Sequence, residues 1–330
     1  MERLGIALGS GLSPADTVEC ARLAEQAGYE SAWVVEGHGG DQFSLLTAIA
    51  LATTRMRLGT AISSVFVRTA PTIAMAAACI DHFSNGRFVL GLGSSHKVQV
   101  EVEHGVHYTE PVTRVRETVE VVRALLRDGE VSFRGKTITI EHFDLWFKPA
   151  HTSVPIYLSA LFPQMLGLCG EIGQGLLMVF STLGSTRAAV EHLSAGAARA
   201  RRSVKEIEIA SLLPASVARD RKTAYDRVRP VLAFYVGYFP RYQRVAREAG
   251  FGSAVDAITE ASKRGDSERT LAAVPDEMVA ELTASGTAAD LRARIAEYRR
   301  SGIALPILMP VESGPDSMAG VVETLHAGAG

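Results

Sequence analysis

Short apolar runs alternate with helical patterns from the start of the chain. Leu4–Leu8 reads as a buried strand ending at Gly9-Ser10-Gly11. Ser13-Pro14-Ala15-Asp16 then combines an N-cap, a proline at the first helical position and an acid in the first turn, and the helix stops near Gly28. Ser31–Val35 is the next strand, Asp41–Thr53 a helix, Met56–Ile62 a strand, Pro71–Phe83 a helix and Arg87–Leu92 a strand. This βα alternation predicts a parallel sheet.

Thr113–Arg127 is strongly amphipathic. Val131–Ile140, split by Arg134-Gly135-Lys136, reads as a hairpin inserted before the fifth strand. Pro155–Ser159, Leu176–Phe180, Ile207–Leu213 and Ala304–Met309 complete the strands. Helices fall around Gln164–Glu171, Ser185–Ser203 and Ala288–Arg300, with a short one after Asp316 and a frayed tail from His326. Thr223–Ala249 reads as a long helical region broken at Pro230 and Pro240, part of an insertion near 225–275. Eight strands, each but the last plainly followed by a helix, point to an α/β fold: a (β/α)₈ TIM barrel, expected as one domain over residues 1–330, with the short helix after Asp316 completing the ring. An open dinucleotide-binding sheet fits less well. The first turn, Gly9 to Pro14, lacks the third glycine of GxGxxG, and no acid closes the second strand unless Glu36 is counted.

Composition changes this picture little. Hydrophobic residues at 47% and charged residues at 21% suit a folded globular chain, and a formal net charge of −2 offers no field for nucleic acid or an anionic membrane. Arg199, Arg201 and Arg202 read as an exposed helix end. Cys20, Cys79 and Cys169 are scattered without CxxC spacing, and the N-terminus carries no apolar leader-like run, so a cytoplasmic location is expected.

In a barrel of this kind the chemistry sits where the strands end. That rule selects Gly9–Gly11, Glu36–Gly40, Ala61–Ser64, Gly91–Lys97, Ser159–Phe162 and Phe180–Thr182, all rich in small residues. Such loops let backbone approach a planar ring or cradle an anion. His38, flanked by glycines, is a candidate general acid or base, or a donor to a cofactor ring. Glu36 is the second candidate, with pairing to a neighbouring basic side chain as its alternative role. Asp41 is expected to cap the following helix. His96 and Lys97 add positive charge to the glycine-rich loop. His104 and His107 lack a metal-binding spacing, no metal is expected, and neither a GxSxG elbow nor a Cys–His couple supports hydrolysis.

The order of motifs resembles the luciferase-like monooxygenase family and, within it, the coenzyme F420-dependent oxidoreductases related to methylenetetrahydromethanopterin reductase. Gly28–Val34, Arg57–Ala61, Arg68-Thr69-Ala70-Pro71, Ser84–Gly93, Pro155–Leu161, Gly170–Gly175 and Val274–Glu277 carry the resemblance across nearly the whole chain. It implies the barrel, a homodimer, a cofactor over the strand ends and a non-prolyl cis peptide at Ala61–Ile62. Carried over, His38, Ala61 and Ile62 meet the ring, Gly93, Ser94 and Ser95 lie along the cofactor side chain, and the phosphate sits near Ser159, Ala160 and Leu161. Gly9, Lys97 and Phe180 join this set as neighbouring strand-end residues.

The implied activity is hydride transfer between C5 of F420 and an electrophilic carbon of a small organic substrate, with His38 supplying a proton or holding a ring carbonyl. The segment Tyr225–Val274, with Tyr235, Tyr238, Phe239 and Tyr242, either roofs the substrate pocket or packs as an aromatic cluster under a long loop. Two alternatives stay open: an FMNH₂-dependent monooxygenase, with FMN as the cofactor, and a catalytically silent flavin-binding barrel.

Overall fold

Eight short parallel strands close on themselves in a computed structural model that describes residues 2–9, 11–311 and 317–330. They are β1 (Gly5–Leu8), β2 (Ser31–Val34), β3 (Arg57–Thr60), β4 (Phe88–Gly93), β5 (Ile156–Ser159), β6 (Gly175–Val179), β7 (Glu208–Ala215) and β8 (Leu305–Pro310). Each pairs with its sequence neighbours. The ring closes where β1 meets β8, with Gly5 opposite Ile307 and Ile6 opposite Leu308. Ser10 of the first turn, and Asp316 before the last expected helix, lie outside the described residues.

The outer helices are α1 (Pro14–Gln26), α2 (Gln42–Ala52), α3 (Ala70–Ser84), α4 (Pro111–Asp128), α5 (Pro163–Ile172) and α6 (Leu183–Arg199). The expected caps are in place: Ser13 accepts the Asp16 N–H, and Asp41 accepts the Ser44 N–H at 2.8 Å. The hairpin forms between Glu130–Arg134 and Thr139–Asp144. The Glu117 carboxylate of α4 pins its turn by accepting the N–H groups of Lys136, Thr137 and Ile138.

Between β7 and the helix of its unit lie α7 (Arg221–Tyr238), α8 (Pro240–Glu248), α9 (Gly252–Lys263), α10 (Ser267–Ala272) and α11 (Asp276–Leu282), followed by α12 (Ala288–Arg300) and α13 (Ser317–Ala329). The chain breaks at Pro240 as expected but runs through Pro230. Pro230 is exposed, and buried Ala224 and Val228 before it and Leu232, Ala233 and Val236 after it hold both halves to one apolar surface. Packing there outweighs the missing N–H donor. The tail also departs from expectation, remaining helical to Ala329. Tyr29 donates to the Leu325 carbonyl at 2.8 Å and Arg292 to that of Ala327 at 3.2 Å, so the last turn is anchored. Arg202, expected at an exposed helix end, instead donates to the Gly170, Glu171 and Gly173 carbonyls at the end of α5.

Two apolar bodies result. One fills the space between the strands and the outer helices. The other fills the lumen with Trp33, Tyr157, Leu177 and Leu212 and continues into α7, α8, α9 and α11. At the N-terminal end of the lumen, Arg57 donates to Tyr157 at 2.8 Å and pairs with Glu208 at 3.2 Å, while Arg3 bridges Glu30 and Glu208 at 2.5 Å each. That end is plugged, so the open end is the opposite one.

Candidate active site

The C-terminal ends of the strands surround a cavity of about 1260 Å³. Gly9, Glu36, His38, Ala61, Ile62, Gly93, Ser94, Ser95, Ser159, Ala160 and Leu161 all line it. Lys97 does not. Its ammonium is largely exposed and lies 3.7 Å from Glu101, one helical turn further on. Phe180 sits behind the wall, buried, with its ring 4.8 Å from Tyr235 and 5.1 Å from Tyr242.

The wall after β3 carries a cis peptide at Ala61–Ile62, at the position the family resemblance indicated. Ser63 and Ser64 then pair with Leu92 and Gly93 of β4, bringing the two loops together. A Cβ on Gly93 would lie 2.9 Å from Ile62 and 3.2 Å from the Ser159 Cβ, so Ile62, Gly93 and Ser159 form one continuous surface. Beyond it α5 starts at Pro163, its N-cap Phe162 makes no side-chain bond, and Phe162, Gln164 and Met165 line the same cavity.

Glu36 takes the alternative role considered for it, pairing with a basic neighbour. Its carboxylate accepts the Ser64 N–H at 2.6 Å and the Arg68 Nε–H at 2.8 Å. Arg68 also reaches Asp41 at 2.5 Å and lies over the Phe43 ring at 4.9 Å. Burial would raise the Asp41 carboxyl, but its bonds to Arg68 and Ser44 outweigh this and hold it below the usual range. His38 is 80% exposed at the rim, its Nε2 3.2 Å from Glu103 across the mouth of the cavity.

His96 does not add positive charge. Burial, and then the nearby Arg241 guanidinium, push its pKa down to about 3, so the ring is neutral at physiological pH. It packs instead at 4.4 Å from Phe239 and 5.1 Å from Tyr242.

The insertion supplies the roof. Phe234, Tyr235, Phe239 and Tyr242 line the cavity together with Arg241, whereas Tyr238 does not. The aromatics also pack on one another, so the two readings of this cluster describe one structure. Arg241 is the residue that linear reading missed. It donates to the Ser95 carbonyl at 2.8 Å, Ser94 Oγ at 3.3 Å and Tyr108 OH at 2.6 Å, the serines lying 146 and 147 positions earlier. No local pattern links residues so far apart.

Closed barrel, cis peptide after the third strand and cavity over the strand ends together define a (β/α)₈ barrel with a cavity at its C-terminal face. The chain belongs to the luciferase-like monooxygenase family, whose profile matches residues 1–305. It is 32% identical over 301 residues to 5,10-methylenetetrahydromethanopterin reductase of Archaeoglobus fulgidus, covering 89% of each chain. It is 30% identical over 327 residues to a Mycobacterium tuberculosis protein named "Putative coenzyme F420-dependent oxidoreductase", covering 93% of this chain and 94% of that one. Among solved structures, coenzyme F420 dependent tetrahydromethanopterin reductase from Methanopyrus kandleri matches with a TM-score of 0.87 at 26% identity, over 99% of this chain and 98% of that one.

Proposed function

We propose that the protein is a coenzyme F420-dependent oxidoreductase that moves hydride between C5 of the deazaflavin and an electrophilic carbon of a small organic substrate. The observation that carries this reading is the continuous surface of Ile62, Gly93 and Ser159 at the strand ends, in a chain similar over most of its length to proteins named as F420-dependent.

The residues present fit such a group. Ala61 and Ile62 offer an apolar face for a planar ring, Gly93 to Ser95 a narrow path for its side chain, and Ser159 to Leu161 a backbone cradle at the start of α5 for its phosphate. When bound, the deazaflavin supplies the carbon that gives or takes hydride. The protein fixes distance and face, and the roof of Tyr235, Phe239 and Tyr242 excludes water from the enclosed part of the cavity. His38, next to the mouth, holds a ring carbonyl or delivers a proton. Glu36 acts through Arg68 and the Ser64 backbone, orienting the bulged segment.

We further propose a cytoplasmic homodimer. All three cysteines are free, Cys20 and Cys169 being buried, and Leu51 on α2 and Phe83 on α3 expose apolar surface on packed neighbouring helices. No helix among the described residues is long and apolar enough to cross a membrane.

Fluorescence titration with F420, FMN and FAD tests the cofactor. The expected result is F420 affinity at least ~10-fold above that for FMN, about 1.4 kcal/mol. Tight FMN binding without F420 affinity would replace this reading with the FMNH₂ monooxygenase, and no affinity for any of them with the silent barrel.

A further inference from the structure

We propose that Arg241 is a fixed anion-binding residue of the cavity, taking a phosphate or carboxylate group of the bound ligand. The two arginines in the cavity wall differ in one respect. Arg68 is neutralised by Glu36 and Asp41, at 2.8 and 2.5 Å. Arg241 pairs with no carboxylate among the described residues. Its partners are a carbonyl and two hydroxyls, on Ser95, Ser94 and Tyr108.

A partly enclosed cation without a counter-ion is unfavourable unless something else supplies the charge. The acids among the described residues that line the cavity do not, because Glu36 and Asp41 hold Arg68, and Glu103 faces His38 at 3.2 Å. Of the five guanidinium N–H groups, three are used, leaving the Nε–H and one Nη2 hydrogen for a ligand.

The guanidinium is also held still. Tyr108 stacks on Phe66 with ring centroids 4.5 Å apart, which fixes its hydroxyl. Ser95 adopts a left-handed conformation, φ 53°, and its carbonyl accepts from Arg241. A charge fixed before the ligand arrives loses little freedom on binding. The start of α8 adds to the guanidinium, since the helix begins here without a side-chain cap on Phe239. Gly93, next to Ser94, packs against Ser159, so Arg241 and the uncapped start of α5 serve neighbouring parts of one wall.

The anion has two possible sources, the phosphate and acidic tail of the deazaflavin or an acidic group on the substrate; the first rests on the function proposed above. Titration of Arg241→Gln, Arg241→Lys and Tyr108→Phe with F420 and with its ribityl deazaflavin core, which lacks the phosphate and tail, separates them. The expected result is that Arg241→Gln weakens F420 by about 10- to 100-fold, as for a lost charge-assisted hydrogen bond, with the ribityl core unchanged, Arg241→Lys intermediate and Tyr108→Phe near wild type. Unchanged F420 affinity with a raised KM for an acidic substrate assigns the anion to the substrate and also supports the proposal. Equal weakening of both deazaflavins, or a Tyr108→Phe effect as large as that of Arg241→Gln, reduces Arg241 to a clamp and overturns it. If the wild type binds no deazaflavin, the cofactor reading fails and inorganic phosphate becomes the probe. A thermal midpoint raised by phosphate in wild type but not in Arg241→Gln supports the anion site, and an equal shift or none in both overturns it.

Discussion

The Glu36 carboxylate accepts the Ser64 backbone N–H at 2.6 Å, tying the end of β2 to the segment that follows Ala61–Ile62. Its bond to Arg68 extends the tie to the residues just before α3. Glu36→Ala removes both acceptors and leaves Arg68 with Asp41 alone. It should cost about 2–3 kcal/mol in chemical denaturation and weaken cofactor binding, while Glu36→Gln, which keeps a carbonyl for Ser64, should cost less. Unchanged stability and affinity with a collapsed kcat would instead make Glu36 a catalytic group.

His38 offers the opposite combination, high exposure with a single partner, Glu103. His38→Asn should leave the melting temperature unchanged. As a proton donor or acceptor it should lower kcat by ~10²-fold or more and remove a limb from the pH–rate profile. A kcat within about threefold of wild type would confine His38 to the rim, since general acid–base catalysis is worth far more than that.

Acid should weaken the roof in a definite window. In an unfolded chain the His96 imidazole titrates near 6.5, whereas in the fold its pKa is pushed down to about 3. Between those values the unfolded chain binds the extra proton, so stability is lost as the pH falls through that range. Allowing for solvent screening, wild type should lose about 1–2 kcal/mol more between pH 7 and 5 than His96→Gln in parallel denaturation curves. Glu208 belongs to a lower window. Burial opposes its ionisation, but Tyr157, Arg57 and Arg3 together hold its carboxyl below the usual range. Its contribution is intact at pH 5 and disappears only as the pH falls from about 4.5 through that lowered value. Equal pH 7-to-5 losses in both proteins would count against this account of His96.

Gly91 on β4 packs directly against Thr60 at the end of β3. Thr60 Oγ1 donates to its carbonyl and accepts its N–H, both at 2.7 Å. A Cβ there would stand 2.0 Å from the Thr60 carbonyl oxygen and 2.9 Å from Leu177. Backbone cannot give way as a flexible side chain can, so Gly91→Ala should destabilise by more than about 3 kcal/mol or prevent folding. Soluble expression and a urea midpoint would measure it, and a wild-type midpoint would refute the close approach.

The barrel was readable because its signals are local: apolar runs of strand length, caps such as Ser13 and Asp41, and helix stops such as Gly28. The strand-end rule then found most of the cavity wall without any distance information. What it could not find depends on contacts between distant segments. Arg241 reaches Ser94 across 147 positions. The neutrality of His96 follows from enclosure by an insertion whose docking is invisible in the sequence, where the residue reads as charged. Pro230 and the tail after His326 misled in the other direction. Local propensity argued for a break and for fraying, and buried contacts of α7 and α13 overrode both.

The lumen of the barrel and the helices above it share one apolar body, distinct from the layer between strands and outer helices. The outer layer is therefore free to hold its shape while the inner one loosens. Heating should abolish turnover at a lower temperature than it melts the helical circular dichroism signal, because catalysis ends when the inner body shifts and the outer ring has not yet let go. The same nesting gives selection two separate dials. Substitutions on α7 and α8 can retune what the roof admits while the outer scaffold keeps its own margin.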